Sequence, residues 1–249
     1  TALERARESG ADQAEAGVSL GTGLSVNLRR GEVETLEHQR DRGFSVTVYI
    51  RGRKGSVNSS DLSRDAVRAM VDKACSIASF TAEDACAGLA DADRMATAFP
   101  DLDLEHPWPV SPEEAIEIAR ACEAAGLAED PRLTNSEGAS VNTHRSQRLY
   151  GNTHGFLGGY ASTSHSISCV LIASDGKSMQ RDYWYEWARD AGSLGDPESV
   201  GRQAGRRAVS RLGAEKIGTC TAPVLFAAEV ARGLLGHFVS AVKGGSQYR

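Results

Sequence analysis

No stretch of this chain of 249 residues reaches the ~18 consecutive apolar residues that a membrane-spanning helix needs. No secretory leader is visible at its start. Thr1 stands there in place of a Met and the chain stops in a Gly-rich turn, so trimming is expected at both ends. There is no surplus of positive charge, because the formal net charge is −5. That balance argues against non-specific nucleic-acid binding and against a polybasic membrane surface. The basic residues are spread out, and Arg29-Arg30 and Arg206-Arg207 are no more than pairs. The five cysteines, at 75, 86, 122, 169 and 220, contain no CxxC and no short metal-ligand spacing. Free thiols in a reducing, cytoplasmic setting are expected.

The familiar catalytic signatures are missing as well. Gly176-Lys177-Ser178 ends like a phosphate loop, but the position that must be Gly is Leu171, so an Asp175-Gly176 hairpin turn is expected instead. Gly21-Thr22-Gly23 lacks the third Gly of a dinucleotide fingerprint and sits in a strand pattern. No GxSxG nucleophile elbow occurs.

What is present is mostly periodicity. Leu3 to Gly10 reads as the end of a helix, with Gly10 just past its C-cap. Residues 15 to 28 alternate: Ala16, Val18, Leu20, Leu24, Val26 and Leu28 share one face, a half-buried strand or hairpin in which Gly21 and Gly23 permit a bulge. Turns are expected at Arg30-Gly31-Glu32 and at Asp41-Arg42-Gly43. They set off strands at Val33–Arg40 and Phe44–Ile50, with a short one near Val57. A helix over Leu62–Ser79, N-capped by Asp61, covers this antiparallel meander. Residues 82–110, with Pro100, Pro107 and Pro109, form a connector. Ser111-Pro112-Glu113-Glu114 opens a helix that Gly126 closes. Leu133–Asn142, Gln147–His154, Ile167–Ala173 and Tyr183–Trp187 lean to strand, with turns at Gly158-Gly159 and Asp175-Gly176. Asp196-Pro197 opens a helix closed by Gly213.

Grouped strands and grouped helices predict an α+β fold. An antiparallel N-terminal sheet covered by helices is followed by a second mixed β/α region that is incomplete in this chain. The expected divisions are 1–100, 101–215 and 216–249, the last being the start of a further domain.

His144, His154 and His165 are the histidines with spacing compatible with a metal site, since neighbouring antiparallel strands bring residues ten or so apart onto one face. No supporting carboxylate or thiol lies nearby in sequence, and catalytic zinc needs three protein ligands. A self-sufficient hydrolase would have to be built on that trio. Alternation places Tyr183, Tyr185 and Trp187 on one strand face and Trp184 on the other. Core packing is the ordinary use of such rings, and a partner interface or peptide groove the functional one.

The last stretch carries the most information. Ala222–Ala228 is an apolar run of strand length. Glu229–Val242 then repeats apolar residues at helical spacing, with Val230, Leu234, Leu235, Phe238 and Val242 on one face. Gly233 and Gly236 inside that helix cost about 1 kcal/mol each relative to Ala, which points to close approach of another backbone. This strand–helix piece resembles the TldD/PmbA family. So do Gly31–Glu37 (G-E-V-E-T-L-E), the Gly52–Leu62 stretch ending in Ser-Asp-Leu, and Thr134–Gly138 (T-N-S-E-G). The Phe156–Gly159 and Arg181–Tyr183 neighbourhoods match too. Metal-bearing members carry His-Glu-x-x-x-His on the equivalent helix. Pairing on Leu234-Leu235 puts Gly236 at the first His, His237 at the Glu and Ala241 at the second His.

The resemblance is therefore to the zinc-free PmbA (TldE) branch, and it extends over the whole chain. It implies a metal-free subunit of a cytosolic heterodimeric zinc metalloprotease, whose TldD-like partner holds the zinc and cuts unfolded peptides. Microcin maturation and antitoxin degradation are the associated tasks. No catalytic or metal residue carries over to this chain, and no cofactor is expected in it. His237, Gly233, Gly236, Tyr183, Tyr185 and Trp187 are the residues expected to face a partner or substrate. His237 is otherwise an ordinary packed histidine. Neither nucleic acid nor membrane is expected as a partner, and a homodimer of the isolated chain is compatible with the reading. The alternative is a non-enzymatic regulator or scaffold of the gyrase-modulator type.

Overall fold

Two turns with the same sequence, Arg-Gly, shape the first half of the molecule. A computed structural model describes residues 1–248. In it, β1 (Gln13–Arg29) returns as β2 (Glu32–Ile50), and β2 returns as β3 (Arg53–Ser59). Each hairpin loop has two residues, both with positive φ: Arg30 at 55° and Gly31 at 79°, then Arg51 at 51° and Gly52 at 69°. Left-handed pairs of this kind match the twist of the flanking strands.

The expected turn at Asp41-Arg42-Gly43 does not form, because β2 runs straight through it and pairs residue for residue with β1. The polar residues that looked like a turn sit where the strand is exposed on both faces. The same correction applies further on. Residues 143–146 do not interrupt β4 (Leu133–Asn152), and Gly158-Gly159 lie inside β5 (Leu157–Ser174) rather than in a turn. The β4–β5 turn is at 153–156, with Gly155 at φ 88°. The Asp175-Gly176 turn, with Gly176 at φ 81°, leads to β6 (Met179–Ala188) as expected.

The six strands form one antiparallel sheet in the order β3-β2-β1-β4-β5-β6. The two expected strand groups meet where β1 pairs with β4, from Glu15↔Asn152 to Leu28↔Ala139. The fold is thus α+β. The even-numbered residues of β1 face one side, and that side carries two separate apolar cores. Near the start of β1, Ala14 packs with Phe44, Val46, Val48, Met70, Val71 and Ala74 beneath α1 (Ala2–Glu8) and α2 (Arg64–Phe80). Near its end, Leu24, Val26 and Leu28 pack with Val141, Ile167, Cys169 and Leu171 beneath α3 (Pro112–Leu127) and α4 (Pro197–Ser210).

The helix starts follow local chemistry. Ser111 makes a capping box with Glu114, and Asp196 caps α4 through the Ser199 N–H. Helix α2 begins two residues later than expected, N-capped by Ser63 rather than Asp61. Asp61 instead accepts the N–H of Ser63, 2.8 Å away. Gly126 does not end α3. It lies within the helix, where α4 crosses, and a Cβ built on Gly201 would fall 1.8 Å from the Cys122 carbonyl oxygen.

The second unit begins at Ala214. Residues 222–228 form no strand before α5 begins. Helix α5 spans Ala228–Val242 and a short α6 spans Gly244–Tyr248. Val230, Leu234, Leu235, Phe238 and Val242 are all at least half exposed on α5. Among the described residues no helix is long and apolar enough to cross a membrane.

Candidate functional site

The histidine trio does not assemble. His165 pairs with Thr143 across β4 and β5, so its neighbour in the ladder, His144, projects from the opposite face of the sheet. His165 is buried. Its Nδ1 lies 2.8 Å from the Thr143 hydroxyl, its Nε2 lies 2.9 Å from the His106 carbonyl, and its ring meets Trp108 edge-on. The imidazole of His144 lies over Gly21 and Gly23, where a Cβ on Gly21 would come within 3.1 Å of its Cε1. Those glycines make room for a ring rather than a bulge. His154 sits ten residues further along, in the β4–β5 turn, with Nδ1 3.0 Å from the Ala90 carbonyl oxygen. The hydrolase reading built on these three residues therefore fails on geometry.

Helix α5 places Gly233, Gly236, His237 and Ala241 within two turns. His237 is exposed, and a Cβ on Gly233 or Gly236 would meet nothing within 4 Å. A single imidazole with Ala241 four residues on is not a zinc donor set, which needs three protein ligands. Among the described residues no three His, Cys, Asp or Glu side chains lie close enough to hold a metal ion.

Strand β6 carries the aromatic group. Cys169 pairs with Trp184, which puts Trp184 on the helix-covered side, where the Arg207 guanidinium lies 5.2 Å from its ring centre. Tyr183, Tyr185 and Trp187 project from the other side, 52%, 40% and 54% exposed. Tyr183 and Tyr185 stack at 6.2 Å, and Arg189 lies 5.6 Å over Trp187. Helices α1 to α4 all pack on the opposite side. The side bearing Tyr183 is rich in hydroxyls and amides that bond one another across strands, as in Ser25–Asn142 at 2.7 Å and Ser146–Ser162 at 3.0 Å.

A groove that the sequence did not reveal lies where the connector passes β5. It holds about 1050 Å3 and is lined by Phe99, Leu102, Leu104, Arg148, Tyr160 and the bare backbone of Gly158-Gly159, among others. The only hint in the sequence was the Gly-Gly pair, whose alternative meaning is a strand approached closely by other groups. A Cβ on Gly158 would fall 2.8 Å from Phe99 Cε1, and one on Gly159 2.4 Å from the Arg148 carbonyl oxygen.

Residues 14–78 match the family model for PmbA/TldA metallopeptidase domain 1, and residues 105–212 match the PmbA/TldA metallopeptidase central domain. The chain is 49% identical over 249 residues to Metalloprotease PmbA of Escherichia coli O157:H7, and 40% identical over 248 residues to a homologue in Haemophilus influenzae. All of the chain is covered in both, but only 55% of each relative, so it spans about half the length of the curated relatives it matches. A crystal structure of a candidate modulator of DNA gyrase from Bacteroides thetaiotaomicron superposes with a TM-score of 0.80 at 25% identity, covering 87% of this chain and 49% of that one. TldE from Thermococcus kodakarensis shares the fold, with a TM-score of 0.62 at 12% identity over 83% of this chain and 46% of that one. With both domain models matched in chain order and near-half identity along its whole length, the chain belongs to the PmbA/TldD metallopeptidase family.

Proposed function

We propose that this chain is the metal-free subunit of a heterodimeric zinc peptidase, supplying surface for an extended peptide while a TldD-like partner supplies the zinc. The observation that carries this reading is the composition of α5. Where metal-bearing relatives have His-Glu-x-x-x-His, this helix offers Gly236, His237 and Ala241. One imidazole cannot make a zinc site, so no hydrolytic step is assigned to this chain. Its relatives' name, metalloprotease, supports proteolysis as the activity of the assembly. The sheet face opposite α1 to α4, bordered by Tyr183, Tyr185 and Trp187, supports peptide contact. Such rings give up much area to a partner while keeping a polar edge.

The test is to purify the full chain and measure bound zinc by mass spectrometry. Cleavage of an unfolded peptide is then assayed with the chain alone and after mixing with a TldD-like protein. Expected are no stoichiometric zinc, no cleavage alone, and cleavage in the mixture beyond that of the partner by itself. Stoichiometric zinc with activity in the single chain overturns the proposal. A mixture no more active than the partner favours the regulator or scaffold reading instead.

A further inference from the structure

The outer edge of β5 is unpaired along part of its length, and a groove opens beside that part. Strand β6 begins its pairing only at His165↔Ala188, whereas β5 starts at Leu157. In this gap the connector makes one ladder-like bond, from the Thr163 N–H to the Leu104 carbonyl at 2.9 Å. The backbone of Thr163 therefore points outward, away from β4. Backbone direction alternates along an antiparallel strand, so Ala161 and Gly159 point outward too. Among the described residues neither has a hydrogen-bond partner on that side. Gly159 is exposed and Ala161 partly so.

Beyond Leu104 the connector swings away from β5 and leaves the groove between them. Its far wall carries Phe99 and Leu102, 59% and 65% exposed, with Phe99 held edge-on against Phe156 at 5.5 Å. Gly158 and Gly159 keep side chains out of its floor. A row of outward N–H and C=O groups at strand spacing is satisfied by another backbone in extended form, while the side walls accept alternate side chains. The charge of the walls narrows the occupant. Five charged side chains line the groove, and four are engaged locally: Asp101 accepts the Asp103 N–H at 2.9 Å, Asp103 lies 3.3 Å from the His106 ring, Glu105 is taken by Arg145, and Arg189 reaches the Thr163 carbonyl oxygen at 3.3 Å. Arg148, opposite Tyr160 in the ladder, is exposed and makes no ion pair among the described residues.

We infer that an extended peptide segment bearing an acidic side chain adds as a strand to β5 at Gly159 and Ala161. Its apolar side chains lie against Phe99 and Leu102, and its carboxylate meets Arg148. The inference takes its ligand class, peptide, from the proposed function. It places the contact on this chain alone, with no partner needed.

The experiment uses the full chain by itself and a fluorescein-labelled octapeptide of alternating Val and Thr with one central Glu, followed by fluorescence anisotropy. Saturable binding is expected, with slowed hydrogen exchange at the Gly159 and Ala161 amides. Ala161→Pro removes one outward N–H at an edge position that tolerates proline, and should weaken binding about tenfold. Phe99→Ala, on the connector and outside every helix and strand, should weaken it as well. The same peptide N-methylated at alternate residues should not bind, and exchanging its Glu for Gln should lose the contribution of Arg148. Equal affinity for the N-methylated peptide, unchanged amide exchange, or Ala161→Pro binding like the parent protein overturns the inference. Partner-dependent proteolysis that survives such a result leaves the proposed function standing. Slot binding without any partner-dependent proteolysis does the reverse.

Discussion

The carboxylate of Glu123, near the C-terminal end of α3, accepts the backbone N–H of Gly31 at 2.8 Å, in the turn between β1 and β2. Its other oxygen accepts the N–H of Arg30, also at 2.8 Å. Arg30 is held left-handed at φ 55°, a costly conformation for a residue with a Cβ. The second Arg-Gly turn repeats the device, with Asp12 accepting the N–H of Arg51 at 2.6 Å. Each turn thus pairs a strained arginine with a carboxylate brought from elsewhere in the chain. Glu123 is buried, so its loss leaves two donors unsatisfied. Glu123→Ala is expected to cost about 3 kcal/mol in urea unfolding, and Asp12→Ala, at an exposed site, about 1 kcal/mol. Arg30→Gly should recover about 0.5–1 kcal/mol by removing the strain.

Gly201 is the contact point of α3 and α4. Adding a methyl group there places it 1.8 Å from the Cys122 carbonyl, which is backbone and cannot swing aside. Gly201→Ala should therefore force the helices apart and cost about 3 kcal/mol, read as a lowered denaturation midpoint. The same change at Gly176, in open space but with φ 81°, costs only its backbone strain, about 1 kcal/mol.

Acid should loosen the join of α4 to β6. Burial pushes the Asp182 carboxyl up. The Tyr183 N–H at 2.7 Å and the guanidinium groups of Arg211 and Arg207 outweigh it, and together they hold the group below its ordinary 3.8. A depressed carboxyl contributes stability that is present above 3.8 and lost as pH falls through its lower folded value. Stability measured by denaturant, with Trp184 fluorescence as the probe, should fall in that window. Asp182→Asn should flatten the fall and cost about 1–2 kcal/mol at neutral pH, a figure reduced for the partly exposed arginines.

Alkali has its own reporter. Tyr49 is pushed up to about 12 by burial and then by Glu15, whose carboxylate it meets at 3.2 Å. A raised group of this kind contributes fully below pH 10 and loses its contribution as pH climbs through about 12. Ultraviolet titration should show late ionisation of Tyr150, which burial also raises, and most strongly of Tyr49. Glu15→Gln should move Tyr49 toward 10 without reaching that value, because burial, the larger cause, is untouched.

Much of this architecture was legible in the chain. The alternation from Ala16 to Leu28, the capping signals at Ser111 and Asp196, and the helix over Glu229–Val242 each depend on neighbours a few residues apart. Local sequence records such patterns directly. The departures share a cause. Polar stretches at 41–43 and 143–146 looked like turns because they lie opposite the middle of β1, between the two apolar cores, where few side chains must be apolar. Glycines were the other source of error. A glycine marks a turn or a close approach, and the sequence does not say which. Gly158, Gly159, Gly126 and Gly201 turned out to be approaches, and Gly155 and Gly176 turns.

The sequence alone settled the class of fold, because this depends on which residues follow one another. Only the tertiary structure decided that His144 and His165 face opposite sides of the sheet, and that Glu123 reaches a turn more than ninety residues away. It alone showed that, among the described residues, β5 leaves an unpaired edge beside Phe99. These are relations between segments far apart in the chain, set by strand register and helix crossing, and no local pattern encodes them.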